Sequence, residues 1–167
     1  MKDDHQPVMV NEVLSLIKPK DGGIYLDATF GAGGHTKAIL SSAICQVYAL
    51  DRDENTKIYA NMIEQSPLKT RFYYHNGLFS QMKKILPANT LYHGILMDVG
   101  VSSMQIDQGN RGFSFVKDGP LTMTMGNNNI TARDIVNDYN QDDLEFIIST
   151  YGEEKQAKKI AQAICHA

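Results

Sequence analysis

The chain has 167 residues, a hydrophobic fraction of 43% and a formal net charge of −3, which suits one globular domain of ordinary size and excludes a disordered chain. No apolar run approaches the roughly 20 residues that span a bilayer, the start Met1-Lys2-Asp3-Asp4-His5-Gln6-Pro7 lacks a signal-peptide core, and Cys45 and Cys165 make no disulfide framework. A cytoplasmic protein without a membrane partner is therefore expected, and the negative charge excludes a global basic field that would draw it to nucleic acid.

Pro7 to Ile17 reads as a helix, with Pro7 in its first turn, an apolar stripe of Val13, Leu16 and Ile17, and a stop at Lys18-Pro19. Asp21-Gly22-Gly23 turns the chain into a buried strand that starts Ile24-Tyr25-Leu26-Asp27. This strand breaks at Gly31, Gly33 and Gly34 and passes through His35 into a short helix, Lys37-Ala38-Ile39-Leu40. A strand that turns through glycines into a helix is the first unit of a nucleotide-binding α/β fold, because residues without Cβ let a ligand approach the main chain. The alternative is a strand–helix turn that is merely rich in glycine. Gly31 and Gly33 fit the first two positions of the dinucleotide fingerprint, but Thr36 occupies the third; His35 after Gly34 excludes a P-loop. Asp27, inside the strand, suits a ligand carrying a positive charge and an amine, such as S-adenosylmethionine, better than a pyrophosphate.

Gln46 to Leu50 reads as a second strand, ending in Asp51-Arg52-Asp53, with a helical segment to about Gln65. An acidic residue at this point, about 20 residues past the glycine turn, is where a ribose-binding carboxylate sits in such folds. Asp51 is the better candidate, and Asp53 reads as a cap of the next helix. Arg71 to His75 is a third strand, Asn76-Gly77 a turn, and Ser80 a candidate cap for a short helix through Leu86. Phe79, just past a strand end, is placed to flank an adenine ring, although a lone Phe is more often core. Tyr92 to Met97 is a fourth, fully apolar strand that delivers Asp98 at its carboxyl end, where a buried carboxylate is costly unless a ligand or a donor meets it.

Residues 104–129 are rich in glycine and polar residues and have little periodicity, and a loop of that length in a compact domain is usually functional. Thr131 with Asp134, and Asn140 with Asp143, read as the caps of two helices, the second ending at Gly152. Glu153 to His166 reads as a further helix, with Ala157, Ile160, Ala161 and Ile164 on one face and Lys155, Lys158 and Lys159 on a solvated one. No cluster with metal-ligand spacing is visible, so no metal is expected.

With these residues in view, the sequence resembles the ribosomal RNA small subunit methyltransferase H family, also called MraW. The matching stretches are His5-Gln6-Pro7-Val8-Met9, the run from Asp27 to His35, Asp51-Arg52-Asp53, the run from Asp98 to Gln105, Arg111-Gly112-Phe113-Ser114-Phe115, Lys117-Asp118-Gly119-Pro120-Leu121 and Tyr151-Gly152-Glu153-Glu154. The resemblance implies a Rossmann-like α/β sheet that binds S-adenosyl-L-methionine through Gly33, Gly34, His35, Asp51, Phe79, Asp98 and Gln105. It implies methyl transfer to N4 of a cytidine in 16S ribosomal RNA of the small ribosomal subunit; Asp98, which the resemblance places at the cofactor, is also our candidate catalytic residue, read from its position at the carboxyl end of the fourth strand. It divides the chain into the first part of a methyltransferase domain, 1–104, and a loop with the start of a helical insertion, 105–167, in which the chain ends, so that the later strands would be absent and the fourth strand would be a bare edge beside the first. Where the family usually carries charges, this chain has Thr122, Thr124 and Gly126, near the expected substrate side of the pocket. A non-catalytic remnant of such an enzyme and a nucleotide-binding oxidoreductase are the competing readings.

Overall fold

Four short strands set the frame. A computed structural model describes residues 7–126 and 130–167; His5 and Gln6 of the first matching stretch, and the last three residues of the 104–129 segment, lie outside the described residues. Strands β1 (Ile24–Asp27), β2 (Gln46–Asp51), β3 (Phe72–Asn76) and β4 (Gly94–Leu96) make a parallel sheet in the order β3-β2-β1-β4. The register sets Tyr25 opposite Val47 and Gly94, and Val47 opposite Phe72. The expected neighbour relation of the first and fourth strands is therefore found. Parallel strands need crossovers, and the helices supply them. Helices α1 (Val10–Ile17), α2 (Gly34–Ser42) and α3 (Lys57–Glu64) cover one face, where Leu14, Ile17, Ile39, Leu40, Ala60 and Ile63 pack on the sheet. Arg71 secures the far end of α2: its Nη1 donates to the carbonyls of Leu40, Ala43 and Cys45 at 2.8–3.2 Å, satisfying oxygens that the end of a helix leaves open.

The opposite face is thinner. Leu26 and Ala28 meet Leu86, and Tyr48, Met82 and Tyr92 pack beside them around α4 (Met82–Ile85). Tyr48 stacks on Tyr73 at 4.8 Å and meets Tyr92 edge-on at 5.8 Å. A parallel sheet is normally covered on both faces, yet Ile95 of β4 is 47% exposed. Among the described residues β4 pairs only with β1.

The described residues form two compact units, the first running through Asp107 and taking in Met125 and Gly126, the second being Gln108–Thr124 with 130–167. The break falls three residues beyond the expected one at 104/105, because α5 (Ser103–Asp107) belongs to the first unit. The second unit contains α6 (Ala132–Asp138), α7 (Gln141–Thr150) and α8 (Ala157–His166). Thr131 and Asp134 form a reciprocal capping box, and Asn140 caps α7 through Asp143. Ala157, Ala161 and Leu144 are buried in this unit.

Several boundaries move. The first helix starts at Val10 and not at Pro7, because Met9 takes a left-handed conformation before it. Ser80 lies inside a 3-10 turn, Phe79–Gln81, and caps no helix. The last helix begins at Ala157, since Glu153 has φ +52° and breaks the expected run from Glu153. The strand read as Tyr92 to Met97 shortens to three residues. The glycine-rich part of the 104–129 segment is also more ordered than its composition suggests: Arg111 Nη2 donates to the Thr124 carbonyl at 2.9 Å, and the Arg111 carbonyl accepts from Met123 N–H at 3.1 Å and Thr122 Oγ1 at 3.0 Å.

A candidate ligand pocket at the strand ends

The carboxyl ends of β1 and β2, together with the segment that follows β4, surround a cavity of about 560 Å³, within the size range of small-molecule sites. It lies within the first unit, at the place where parallel α/β sheets bind ligands. Gly34, His35, Asp51, Phe79, Asp98 and Gln105 all line it. Gly33, the remaining expected contact, does not: it caps α2 at φ +77°, with the Phe30 ring 2.7 Å from where a Cβ would stand. Gly34 is crowded differently, because a Cβ there would run into Pro7, which also lines the cavity.

Asp51 is built to present a carboxylate. Gly31 N–H donates to its Oδ2 at 2.7 Å and Asp53 N–H to its Oδ1 at 2.8 Å, so both oxygens are oriented by the main chain. Burial raises its pKa, and these two backbone bonds oppose the rise. Each oxygen keeps a lone pair for a further donor from the cavity. Phe79 is exposed on the same rim and offers an apolar plane.

Asp27 behaves otherwise than expected. It is 1% exposed and is absent from the pocket wall. Thr36 Oγ1 donates to its Oδ2 at 2.7 Å, and Thr29 N–H to its Oδ1 at 3.3 Å. Burial raises its pKa against those bonds. Its work is to tie α2 to β1, so the idea that it meets a positively charged ligand is corrected. Thr36, which departs from the glycine fingerprint, is the other half of that tie.

Asp98 reverses the other way. Its side chain is 60% exposed, not buried, because β4 is short and lies at the edge of the described sheet. Its backbone N–H donates to Thr29 Oγ1 at 2.7 Å, which fixes the residue while the carboxylate projects into the cavity rim. His35 Nε2 lies 3.8 Å from Asp98 Oδ2, within ion-pair reach when the imidazole is protonated but too long for a hydrogen bond. His35 Nδ1 is buried without a hydrogen-bond partner among the described residues, a polar atom that a ligand group entering the pocket would satisfy.

Wall residues that sequence reasoning did not single out as contacts include Thr29, Lys37, Arg52, Thr56, Ser102 and Met125. Gly126 follows Met125 at φ +71°, and a Cβ there would collide with the Arg52 carbonyl, so the absence of a side chain serves a close backbone approach. Thr122 and Thr124 belong to the second unit, where they hold Arg111. Among the described residues no three His, Cys, Asp or Glu side chains gather as a metal site, and no helix is long and apolar enough to cross a membrane.

A parallel α/β sheet with a glycine turn, an oriented acidic residue at the end of its second strand and a cavity above both defines a Rossmann-like ligand-binding protein. The same fold is seen in the C-terminal domain of precorrin-6Y C5,15-methyltransferase from Rhodobacter capsulatus, with a TM-score of 0.50 and 15% identity over 65% of this chain and 58% of that one. The family model described as the MraW methylase family matches residues 2–167, and the chain belongs to that family. Similar curated relatives include the ribosomal RNA small subunit methyltransferase H of Wolbachia sp. subsp. Drosophila simulans (strain wRi), 48% identical over 98% of this chain and 56% of the relative. The protein of the same name from Parvibaculum lavamentivorans is 47% identical over 98% of this chain and 48% of the relative. The chain thus spans about half the length of the curated relatives it matches. Membership sets aside the oxidoreductase reading.

Proposed function

We propose that this chain carries the cofactor pocket of an S-adenosyl-L-methionine-dependent methyltransferase that acts on N4 of a cytidine in 16S ribosomal RNA of the small ribosomal subunit. The observation that carries the reading is the Asp51 carboxylate, held by two backbone donors at the end of β2 and facing a cavity of about 560 Å³, in a member of the MraW methylase family. The names of the relatives supply the RNA substrate. The second unit is read as part of the helical insertion of that enzyme class.

The residues present fit this cofactor. Asp51 would accept from the two ribose hydroxyls, and Phe79 would lie against the adenine. Gly34 and His35, in the first turn of α2, would meet the amino-acid portion, with the orphaned His35 Nδ1 as one polar contact. When bound, S-adenosylmethionine supplies a methyl group activated on a sulfonium. Asp98 is the catalytic residue of the proposal: its exposed carboxylate would accept a hydrogen bond from the exocyclic amine, orient it, and stabilise the positive charge that develops on nitrogen. The amine needs this help because its lone pair is delocalised into the ring. A base must leave its stack to reach such a group, and the net charge of −3 gives this chain little phosphate attraction of its own.

Isothermal titration with S-adenosylmethionine and with NAD tests the cofactor. The expected result is measurable binding of S-adenosylmethionine and weaker or no binding of NAD; tighter binding of NAD would overturn the proposal. Transfer of labelled methyl groups to small-subunit particles that lack the modification tests the substrate, with label expected at a cytidine.

A further inference from the structure

Nearly all of the cavity wall comes from residues up to Gln105: the strand ends, the start of α2 and the strap that follows β4, residues 98–105. Among the described residues Met125 alone joins the wall from further along the chain. With Gly126 it is part of the first unit, although the residues just before it, through Thr124, belong to the second.

Gly126 accounts for this placement. Its φ of +71° lies in the left-handed region, and a Cβ there would run into the carbonyl oxygen of Arg52. An L side chain is strained in that conformation, and here a backbone atom also bars it. Arg52 directly follows Asp51 and lines the cavity itself. Where the family usually carries a charge, this chain's glycine admits a main-chain approach that seats Met125 beside the end of β2.

That place in the wall indicates what Met125 would meet. Asp51, the proposed ribose acceptor, ends β2, and Gly34 and His35 begin the helix that follows β1. In the order β3-β2-β1-β4, the amino-acid portion of the cofactor lies toward β1. The base then lies toward β3, where Phe79 stands on the rim. Met125 is half-buried at the wall. Its unbranched thioether is a soft surface that packs well on a π-system, and apolar surface around a few polar anchors is how small-molecule sites are lined.

We propose that Met125 is a binding residue for the adenine ring, sharing that base with Phe79, and that Gly126 is the positioning residue that seats it. The inference rests on the nucleoside reading of the pocket and deepens it.

Hydrogen peroxide converts an accessible thioether to the sulfoxide, and mass spectrometry reads the rate at each methionine. Met123, 47% exposed and in the second unit, serves as internal reference. Saturating S-adenosylmethionine should slow oxidation of Met125 at least about fivefold and leave Met123 unchanged. Adenosine should protect Met125 too; protection by S-adenosylmethionine but not by adenosine would move Met125 off the base. In titrations, Met125→Ala should weaken S-adenosylmethionine about tenfold, as for one lost apolar contact, while Met125→Leu should stay within a few-fold. Gly126→Ala should weaken binding to a similar degree and add little to Met125→Ala, because both remove the same contact. In a chain that binds S-adenosylmethionine, an unprotected Met125 or an unchanged affinity in Met125→Ala would overturn the contact. Additive losses in the double variant would overturn the role of Gly126. One arm needs no cofactor: in the unliganded chain, Gly126→Ala should itself speed oxidation of Met125, and an unchanged rate would sink the seating. Faster oxidation in a chain that never binds S-adenosylmethionine would support the seating while refuting the cofactor.

Discussion

The two walls of the pocket are held in different ways. The glycine turn and the end of β2 rest on a packed layer: Ile39, Leu40, Val47 and Ala49 are fully buried beneath them, Asp27 and Thr36 bond within that layer, and Asp51 takes two main-chain donors. The strap after β4 has no such bed. It is fixed at its ends by Thr29 and by the Asp53–Gln105 bond, and its middle faces solvent. Each of the adjacent strands β1 and β4 leads to an aspartate, yet Asp27 is 1% exposed and the Asp98 side chain 60%. Strand neighbours, and not the aspartates themselves, account for the difference: β1 is flanked by β2 and β4, whereas β4 has a partner on one side only among the described residues. A carboxylate that works as a structural tie belongs in the packed wall, and one that must meet a substrate belongs on the open one.

The largest effect should come from breaking the packed wall. Ile39→Ala deletes a fully buried side chain of α2, and a loss of about 3 kcal/mol in unfolding free energy is expected. The matching change on the strap, Val99→Ala, should stay within about 0.5 kcal/mol, because that side chain is already largely in water. Urea unfolding of both variants measures the contrast; equal losses would mean that the strap is packed as firmly as the sheet.

Asp51→Ala comes next. It removes the acceptor for Gly31 N–H and Asp53 N–H as well as the proposed ribose contact. Cofactor affinity should fall by about 1–3 kcal/mol, the range for a buried hydrogen-bond partner. An unchanged dissociation constant for S-adenosylmethionine would take Asp51 out of the site.

Asp27→Asn separates the tie from the charge. The amide can keep both contacts, with its oxygen accepting from Thr29 N–H and its nitrogen donating to Thr36 Oγ1, so stability at neutral pH should change by no more than about 1 kcal/mol. Its signature lies in the pH dependence. Burial raises the folded pKa of Asp27 above the ordinary 3.8, so above that value the folded chain holds a proton that the unfolded chain has released. The associated stability is complete below 3.8 and is lost as pH rises through the folded pKa. Asp51 adds a slope of the same sign. The Asp27→Asn variant should therefore lose less stability than the unsubstituted chain on going from pH 4 towards neutrality, as urea midpoints at several pH values would register. A slope identical to that of the unsubstituted chain would mean that Asp27 is not held protonated by the fold.

The contrast between the walls also marks what the sequence could convey. The glycine turn and the acidic end of β2 were legible because they rest on local signals: loss of Cβ, strand length, and spacing along one βαβ unit; the adjacency of β1 and β4 followed from the family resemblance. The contacts that finish the site were not legible, because they join residues distant in sequence or cut across a pattern. Thr36 reads as a failed glycine position until its hydroxyl is seen on Asp27. Asp53 reads as a cap, which it is, while its second oxygen awaits Gln105 from another element. The apolar run Tyr92 to Met97 suggests a buried strand, but an apolar pattern states only what could be covered, and Ile95 and Met97 stand about half exposed.

Asp98→Ala is expected to have the smallest effect on stability, and it tests the open wall most directly. The Asp98 carboxylate accepts no hydrogen bond of 3.5 Å or less among the described residues; His35 Nε2 stands 3.8 Å away, beyond hydrogen-bond length, and the 60% exposed carboxylate is largely solvated. The anchoring bond to Thr29 uses the backbone N–H and survives the substitution. Urea unfolding should therefore shift by less than about 0.5 kcal/mol, the usual range for a surface change. Methyl transfer should suffer far more than cofactor binding, since a group that orients and stabilises the amine in the transition state contributes to turnover and not to the ground-state complex. The decisive comparison introduces the equivalent substitution into an active relative and measures kcat alongside the affinity for S-adenosylmethionine. A drop in kcat of about a hundredfold with affinity changed less than about tenfold fits an acceptor placed at the reacting nitrogen. Loss of affinity with kcat preserved would move Asp98 from the chemistry to the cofactor, leaving the open wall without a catalytic group.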